Sequence, residues 1–283
     1  MTAVLHDVVI GWSVVMAVYY LALNGAHTVL LLFLDQISGD QADIIAGAYE
    51  VAGGTVPLAG GGAAGSAPAQ IARGEAYTDT VVALAVGSPE PIGLGMAHGC
   101  SPLGVPSIVT RSEGTTVMEL DGRPAAEVYL EKLGVASVED GHFGDLSAVH
   151  PLAQPELSGD VRLRHVTSRE NGALRSVTHI PANAAVHFTR QSPEAIIDSV
   201  SEAVDGSCMA LGDHVGPRAA LIFDCAGRKQ VLGAALELEA AAVLAAFGAS
   251  PPPLAGLYTR GEVGRRRGAK GDRNHAVVVV TFA

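Results

Sequence analysis

Cys225, Arg228, Tyr258, Glu262 and Asn274 are the residues of this 283-residue chain whose types and order best suit small-molecule chemistry. Cys225 follows Asp224 at the end of an apolar run and stands shortly before Arg228. A guanidinium there favours a thiolate or clamps a carboxylate through two parallel hydrogen bonds. Tyr258, Thr259 and Glu262 lie in the loop expected after Pro253-Leu254-Ala255-Gly256, and Asn274 and His275 open the last strand. If the strands are neighbours, these loops meet at one carboxyl edge, where α/β folds commonly bind ligands. The set then suits an amino acid or another small zwitterion, with Arg228 for the carboxylate and Glu262 for the ammonium. Other readings stay open. Arg228 pairs with Asp224 or Glu262 while Cys225 is a small buried residue, or Cys225 is a nucleophile with His275 as its base.

Secondary candidates lie upstream. Gly60 to Gly65 fits G-x-G-x-x-G and includes Gly61, Gly62 and Gly65. Dinucleotide binding needs a helix N-terminus after that motif, and Pro68 and Gly74 interrupt the segment where the helix would run. Tight backbone approach at a cleft is the preferred reading. His98 and Cys100 have no third and fourth metal ligand at useful spacing, so a turn is expected there, with no metal and no cofactor. The chain contains no G-x-S-x-G, H-E-x-x-H, complete P-loop or C-x-x-C, so an enzymatic role is less favoured than binding.

The elements that must position these residues emerge when the chain is compared with itself. Leu30-Leu31-Leu32-Phe33-Leu34-Asp35 and Ala219-Ala220-Leu221-Ile222-Phe223-Asp224 are matching apolar runs that end in an acid, each suited to a strand buried on both faces. A helix is expected after each, through Ala42 to Tyr49 and from about Ala234 to Phe247, and another before each, over Val14 to Leu23 and Pro193 to Val204. Both copies resume with Pro-Leu-Ala-Gly, at Pro57 to Gly60 and Pro253 to Gly256, and close with a further strand. The expected fold is a mixed α/β chain of two related sheet-and-helix units, each an open sheet, from an internal duplication, packed together. Between them, Val117 to Gly122 reads as a hairpin, Ala125 to Leu133 as a short helix, and Val135 to Pro155 as irregular loop.

The bulk composition narrows the partners. Apolar residues at 48% and charged residues at 17% exclude a disordered chain. A formal charge of −11 repels phosphate backbones, so no nucleic-acid partner is expected, and Arg265 to Arg267 reads as a solvated loop. Three cysteines cannot all pair, which fits reduced thiols and a cytoplasmic location. Val8 to Leu34 lacks Asp, Glu, Lys and Arg, yet Asn24-Gly25-Ala26-His27 divides it, so no stable membrane span is expected.

Several motifs together carry a family likeness. Phe223-Asp224-Cys225-Ala226-Gly227-Arg228 resembles the F-x-C-x-G-R signature of the FIST C-terminal domain, and Gly256 to Val263 is similar to its G-F-Y-x-x-G-E-I motif. Asn274 matches the asparagine of its H-N motif, with Arg273 in place of histidine. Gly61 to Gly65, His98 to Gly104 and Glu119 to Ala125 resemble segments of the FIST N-terminal domain, with Cys100 where tryptophan is usual. The resemblance implies a sensory module that binds a small-molecule ligand and, lacking an output domain in this chain, signals through a protein partner. It also implies an N-terminal unit over 1–134 that lacks its first strands, a connecting region over 135–189 and a C-terminal unit over 190–283.

Overall fold

The computed structural model describes residues 2–5, 26–35, 40–65, 68–72, 74–156, 159–212, 216–266 and 270–283. The helix expected over Val14 to Leu23 and the Ser38-Gly39 turn lie outside them. A short strand β1 (Thr2–Leu5) precedes the first copy. That copy is β2 (His27–Leu34), α1 (Gln41–Ala52), β3 (Leu58–Ala63), the small hairpin β4 (Gln70–Ala72) and β5 (Glu75–Tyr77), then β6 (Val81–Ser88) and β7 (Ile92–Ala97). Asp40 caps α1 by accepting the Ala42 N–H at 2.7 Å, which satisfies one of the helix's orphan donors.

The middle of the chain is β8 (Cys100–Glu113), β9 (Thr116–Leu120), β10 (Arg123–Pro124), α2 (Ala125–Lys132), α3 (Asp140–Val149), β11 (Leu152–Pro155), β12 (Val161–Arg164), β13 (Val166–Glu170), β14 (Ala173–Ser176) and β15 (Ala185–Gln191). The stretch expected as irregular loop over Val135 to Pro155 therefore holds a helix and a strand. Phe143 and Ala148 are buried on α3, and Phe143 stacks against Tyr129 with 5.9 Å between ring centroids, so tertiary packing overrides the turn-forming glycines.

The second copy is α4 (Pro193–Met209), β16 (Ala219–Cys225), α5 (Ala226–Leu232), α6 (Leu236–Ala246), β17 (Leu254–Arg265), β18 (Asp272–Arg273) and β19 (Val277–Phe282). Arg228 thus lies on a helix rather than in the expected loop. Ser192 caps α4 through the Ala195 N–H, with Pro193 in the first turn, as expected.

The two copies share one nine-stranded sheet in place of two open sheets, ordered β1-β6-β2-β3-β17-β16-β19-β7, with β18 attached to β17. β2 and β3 are parallel, as are β16 and β17; β6 and β19 run antiparallel beside β2 and β16. The antiparallel β3–β17 pair joins the halves. Each copy makes the same bond at its Pro-Leu-Ala-Gly segment: Leu30 N–H to the Pro57 carbonyl and Ala220 N–H to the Pro253 carbonyl, both 3.0 Å. One apolar cluster contains Val29 and Leu31 with Phe223, Val278 and Val280, and Phe33 lies 6.0 Å from Phe223, so the sheet curls its two halves around a common interior. On the opposite face, Ile45 and Ala48 of α1 cover Leu30, Leu32 and Leu34, and α4 with α6 covers Ile222, Val277 and Val279. Gly95 is required where α4 lies on β7, because an added Cβ would sit 1.9 Å from the Ala203 carbonyl oxygen.

The middle segment forms an eight-stranded sheet whose end strands, β12 and β13, are consecutive in the chain and broken at His165. A buried ion cluster ties it to the first sheet. Arg162 and Arg164 of β12 reach Asp272 of β18 at 2.6 and 2.7 Å. Asp272 is held below the usual carboxylate range by those guanidiniums, against the opposing effect of burial. The break at His165 is thereby pressed against the start of β19.

Candidate functional site

Where β16 ends, Cys225 accepts two backbone hydrogen bonds, from Gly227 at 3.4 Å and from His275 at 3.1 Å. His275 adopts φ 52°, a left-handed conformation uncommon for a side-chain-bearing residue, and this turns its N–H towards the sulfur. Gly227 leaves the room: a Cβ there would lie 2.8 Å from His275 Cε1. The Cys-x-Gly spacing therefore packs an imidazole against the first turn of α5.

The imidazole continues a polar chain through the interior. His275 Nδ1 lies 2.9 Å from Gln191 Oε1 and its Nε2 lies 2.8 Å from His165 Nδ1. Gln191 Nε2 donates to the His98 carbonyl at 2.8 Å. Burial holds His275 well below the usual imidazole range, helped by His165, Arg228 and His98. His165 is lowered to about 4 by burial and by Arg260, and His98 to about 4 by burial, Arg273 and Arg228. All three rings are neutral at pH 7.

Around this chain lies a cleft of about 310 Å³ lined by residues that include Ala64, Gly65, His165, Cys225, Gly227, Arg260, Asn274 and His275. It opens where β3 and β16 end, against the β12–β13 break. Of the residues singled out from the sequence, Cys225, Asn274, His275 and Gly65 line it. The Asn274 side-chain oxygen is engaged by the His165 N–H at 3.1 Å. Gly61 faces Thr259 across the β3–β17 junction, where a Cβ would approach within 2.6 Å, and Gly62 lies in β3 beside Leu34. His98 and Cys100 line a separate cleft of about 310 Å³, with Asp160, Arg266, Arg273 and Asn274 among its walls.

Arg228, Tyr258 and Glu262 stand behind the wall. Arg228 is 0% exposed; its guanidinium meets Asp224 at 2.9 Å and Glu239 at 2.7 Å and donates to Ser199 Oγ and the Ile196 carbonyl. Its carboxyl partners are thus Asp224 and Glu239, and the alternative pairing with Glu262 is absent from these contacts. Tyr258 donates to Glu239 at 3.1 Å, and Lys229 lies over its ring. Glu262 lies within β17 rather than in a loop, and is 0% exposed. Its carboxyl accepts from Thr259 Oγ1 at 3.0 Å and from the Ala276 N–H at 3.3 Å.

Burial is the first cause of the unusual acids here. It raises Glu262 to about 8, against the hydrogen bonds from Thr259 and Ala276. It raises Asp224 to about 8, opposed by Arg228 and reinforced by Glu239. Burial and then Glu262 push the Cys225 thiol well up, so the sulfur stays protonated at neutral pH. His275 meets that sulfur through its backbone N–H, while Gln191 and His165 occupy both ring nitrogens. The Cys225–His275 pair is therefore not arranged as nucleophile and base.

Sequence reasoning missed Arg260, His165, Gln191 and Glu239. Arg260 sits inside the Gly256 to Val263 motif, which was a usable signal; it is exposed, and among the described residues no acid pairs with it. His165 and Gln191 belong to the other sheet and carry no local signature. Among the described residues, no group of three or more His, Cys, Asp or Glu side chains is placed to hold a metal ion, and no helix is long and apolar enough to cross a membrane.

Relatives of the chain include an uncharacterised protein of Methanocaldococcus jannaschii, 34% identical over 121 residues, covering 38% of this chain and 24% of that protein. An uncharacterised protein of Mycobacterium tuberculosis is 30% identical over 179 residues, covering 60% of this chain and 45% of that protein. The chain spans less than half the length of these curated relatives. Residues 3–123 match the FIST N domain and residues 125–265 match the FIST C domain, the part that carries the Cys225, Gly227 and Arg260 motifs, and the chain belongs to the FIST family.

Proposed function

We propose that the cleft beside Cys225 binds a small ligand carrying a carboxylate, with amino acids foremost, and that the loaded protein signals through a protein partner in the cytoplasm. The observation that carries this reading is that Arg260, a cation with which no acid among the described residues pairs, shares the wall of one small cleft with the half-buried neutral His165. Arg260 takes the carboxylate through paired hydrogen bonds, and His165 accepts from the ammonium. Cys225, Asn274 and Gly65 shape the wall; Arg228, Tyr258 and Glu262 hold it from behind. FIST domains are generally described as sensory domains for small ligands, which supports the class of function. Three free cysteines are in keeping with a reducing compartment.

Thermal-shift and calorimetric screening with L-amino acids and small carboxylates tests the proposal. Arg260→Ala is expected to weaken a hit about 10-fold or more, since a hydrogen bond to a charged group is worth about 1.5–3 kcal/mol. A hit that Arg260→Ala and His165→Phe both leave unchanged places the ligand elsewhere, and a screen with no hit overturns the reading.

A further inference from the structure

The His165 imidazole on the cleft wall is held in one tautomer through its neighbour His275 by Gln191 and the His98 carbonyl, which do not line the cleft. The His98 carbonyl can only accept, so Gln191 must point its amide nitrogen there and its oxygen at His275. That oxygen also only accepts, so Nδ1 of neutral His275 carries the hydrogen and its Nε2 carries the lone pair. His165 Nδ1, 2.8 Å away, must then be the donor. The remaining nitrogen, His165 Nε2, is a bare acceptor with no protein partner among the described residues, on a ring that lines the cleft near Arg260.

We propose that Gln191 is a specificity-determining positioning residue: through His275 it keeps His165 Nε2 an acceptor, so the cleft selects α-amino and α-hydroxy acids over plain carboxylates. This rests on the ligand-binding reading above. An α-amino or α-hydroxy acid offers a carboxylate to Arg260 and a donor to His165 from the adjacent carbon. A plain carboxylate leaves the nitrogen unsatisfied or sets two acceptors against each other. Proton uptake by His165 is a poor escape, because burial and then the Arg260 charge on the same cleft oppose it, and burial with the charges of Arg228 and His98 does the same to His275 behind it. Sites built around a hydrogen bond discriminate strongly against ligands lacking the group.

Two-bond 15N–1H correlation on histidine-labelled protein at pH 7 reads the tautomers without any ligand. Both His165 and His275 are expected as Nδ1–H forms, and Gln191→Leu is expected to bring in the Nε2–H form. Finding His165 as Nε2–H or as imidazolium in the unsubstituted protein overturns the proposal, whether or not the variant folds. Calorimetry then compares L-alanine, L-lactate and propionate, and L-leucine with its 2-hydroxy and unsubstituted analogues. The donor-bearing acids are expected to bind at least about 10-fold tighter than the matched carboxylate, and Gln191→Leu is expected to erase most of that ratio. Equal affinities in the unsubstituted protein, or a ratio intact in Gln191→Leu, also overturn it. If none of these acids binds, the ligand-binding reading fails, while the spectrum still decides the tautomer.

Discussion

The two copies solve one structural task with different chemistry. In the first, Asp35 at the end of β2 accepts the Thr80 N–H at 2.8 Å and so holds the chain as it enters β6. In the second, the matching Asp224 accepts from Cys225 and pairs with Arg228. The entry to β19 is held instead by Cys225, through the His275 N–H, and by Glu262, through the Ala276 N–H. Where a cleft is built, the same position carries a buried cluster of Asp, Arg, Glu, Cys and His. The shared frame thus carries a buried polar cluster beside the cleft of the second copy.

The largest test of that contrast removes Arg228. Arg228→Ala strands Asp224 and Glu239 in the interior and is expected to cost about 3–5 kcal/mol in urea denaturation. Asp35→Ala, which removes the carboxylate acceptor of the Thr80 N–H, is expected to cost about 1–3 kcal/mol. Equal losses would contradict the claim that the second copy carries the heavier network.

Gly227→Ala probes the cleft side of the same contrast. Its Cβ must displace the His275 ring, and overpacking of this kind costs about 1–3 kcal/mol. Gly47→Ala, on α1 of the first copy with open space around it, should be neutral or stabilising, as read by the same denaturation curves.

Stability should also depend on pH through the second copy. Glu262 and Asp224 have folded values near 8, above their ordinary 4.5 and 3.8. The folded state therefore holds protons that the unfolded chain has released. The stability this confers is complete below the ordinary values and is lost as pH rises towards 8. Above about pH 7 the lowered histidines no longer contribute, so stability is expected to fall from pH 7 to 8 by on the order of 1 kcal/mol per group. Glu262→Gln should flatten that slope by roughly half in denaturation series across this interval. An unchanged slope would mean that Glu262 is ionised in the fold.

The smallest effect concerns Cys225. With its thiol raised by burial and by Glu262, it should alkylate more slowly with iodoacetamide at pH 8 than the partly exposed Cys208. Peptide mapping after timed labelling checks this, and faster labelling of Cys225 would revive a nucleophilic role.

Much of the frame was legible in the chain itself. Leu30 to Leu34 and Ala219 to Phe223 announced buried strands because parallel strands covered on both faces need continuous apolar side chains. Pro57 and Pro253 marked equivalent positions, and the paired bonds to Leu30 and Ala220 confirm them. The helix α3 escaped notice because Gly141 and Gly144 read as turns, and its burial in a core with Tyr129, Val166 and Phe188 accounts for its formation. The site was legible in part. Cys225 and Asn274 do line the cleft, whereas Arg228 and Glu262 proved buried in the wall, because sequence shows which charges exist but not which acids will surround them.

Local periodicity and spacing were enough to establish the duplicated strands, the helix that follows the first strand of each copy, the family motifs and the polar residues of the second copy. The folded chain alone shows that β3 and β17 join the halves, that Glu239 claims Arg228, and that from the other sheet His165 comes to line the cleft while Gln191 binds His275 behind it. Those outcomes depend on contacts between residues far apart in the chain, where burial sets the charge on each group and its neighbours fix which nitrogen holds the proton.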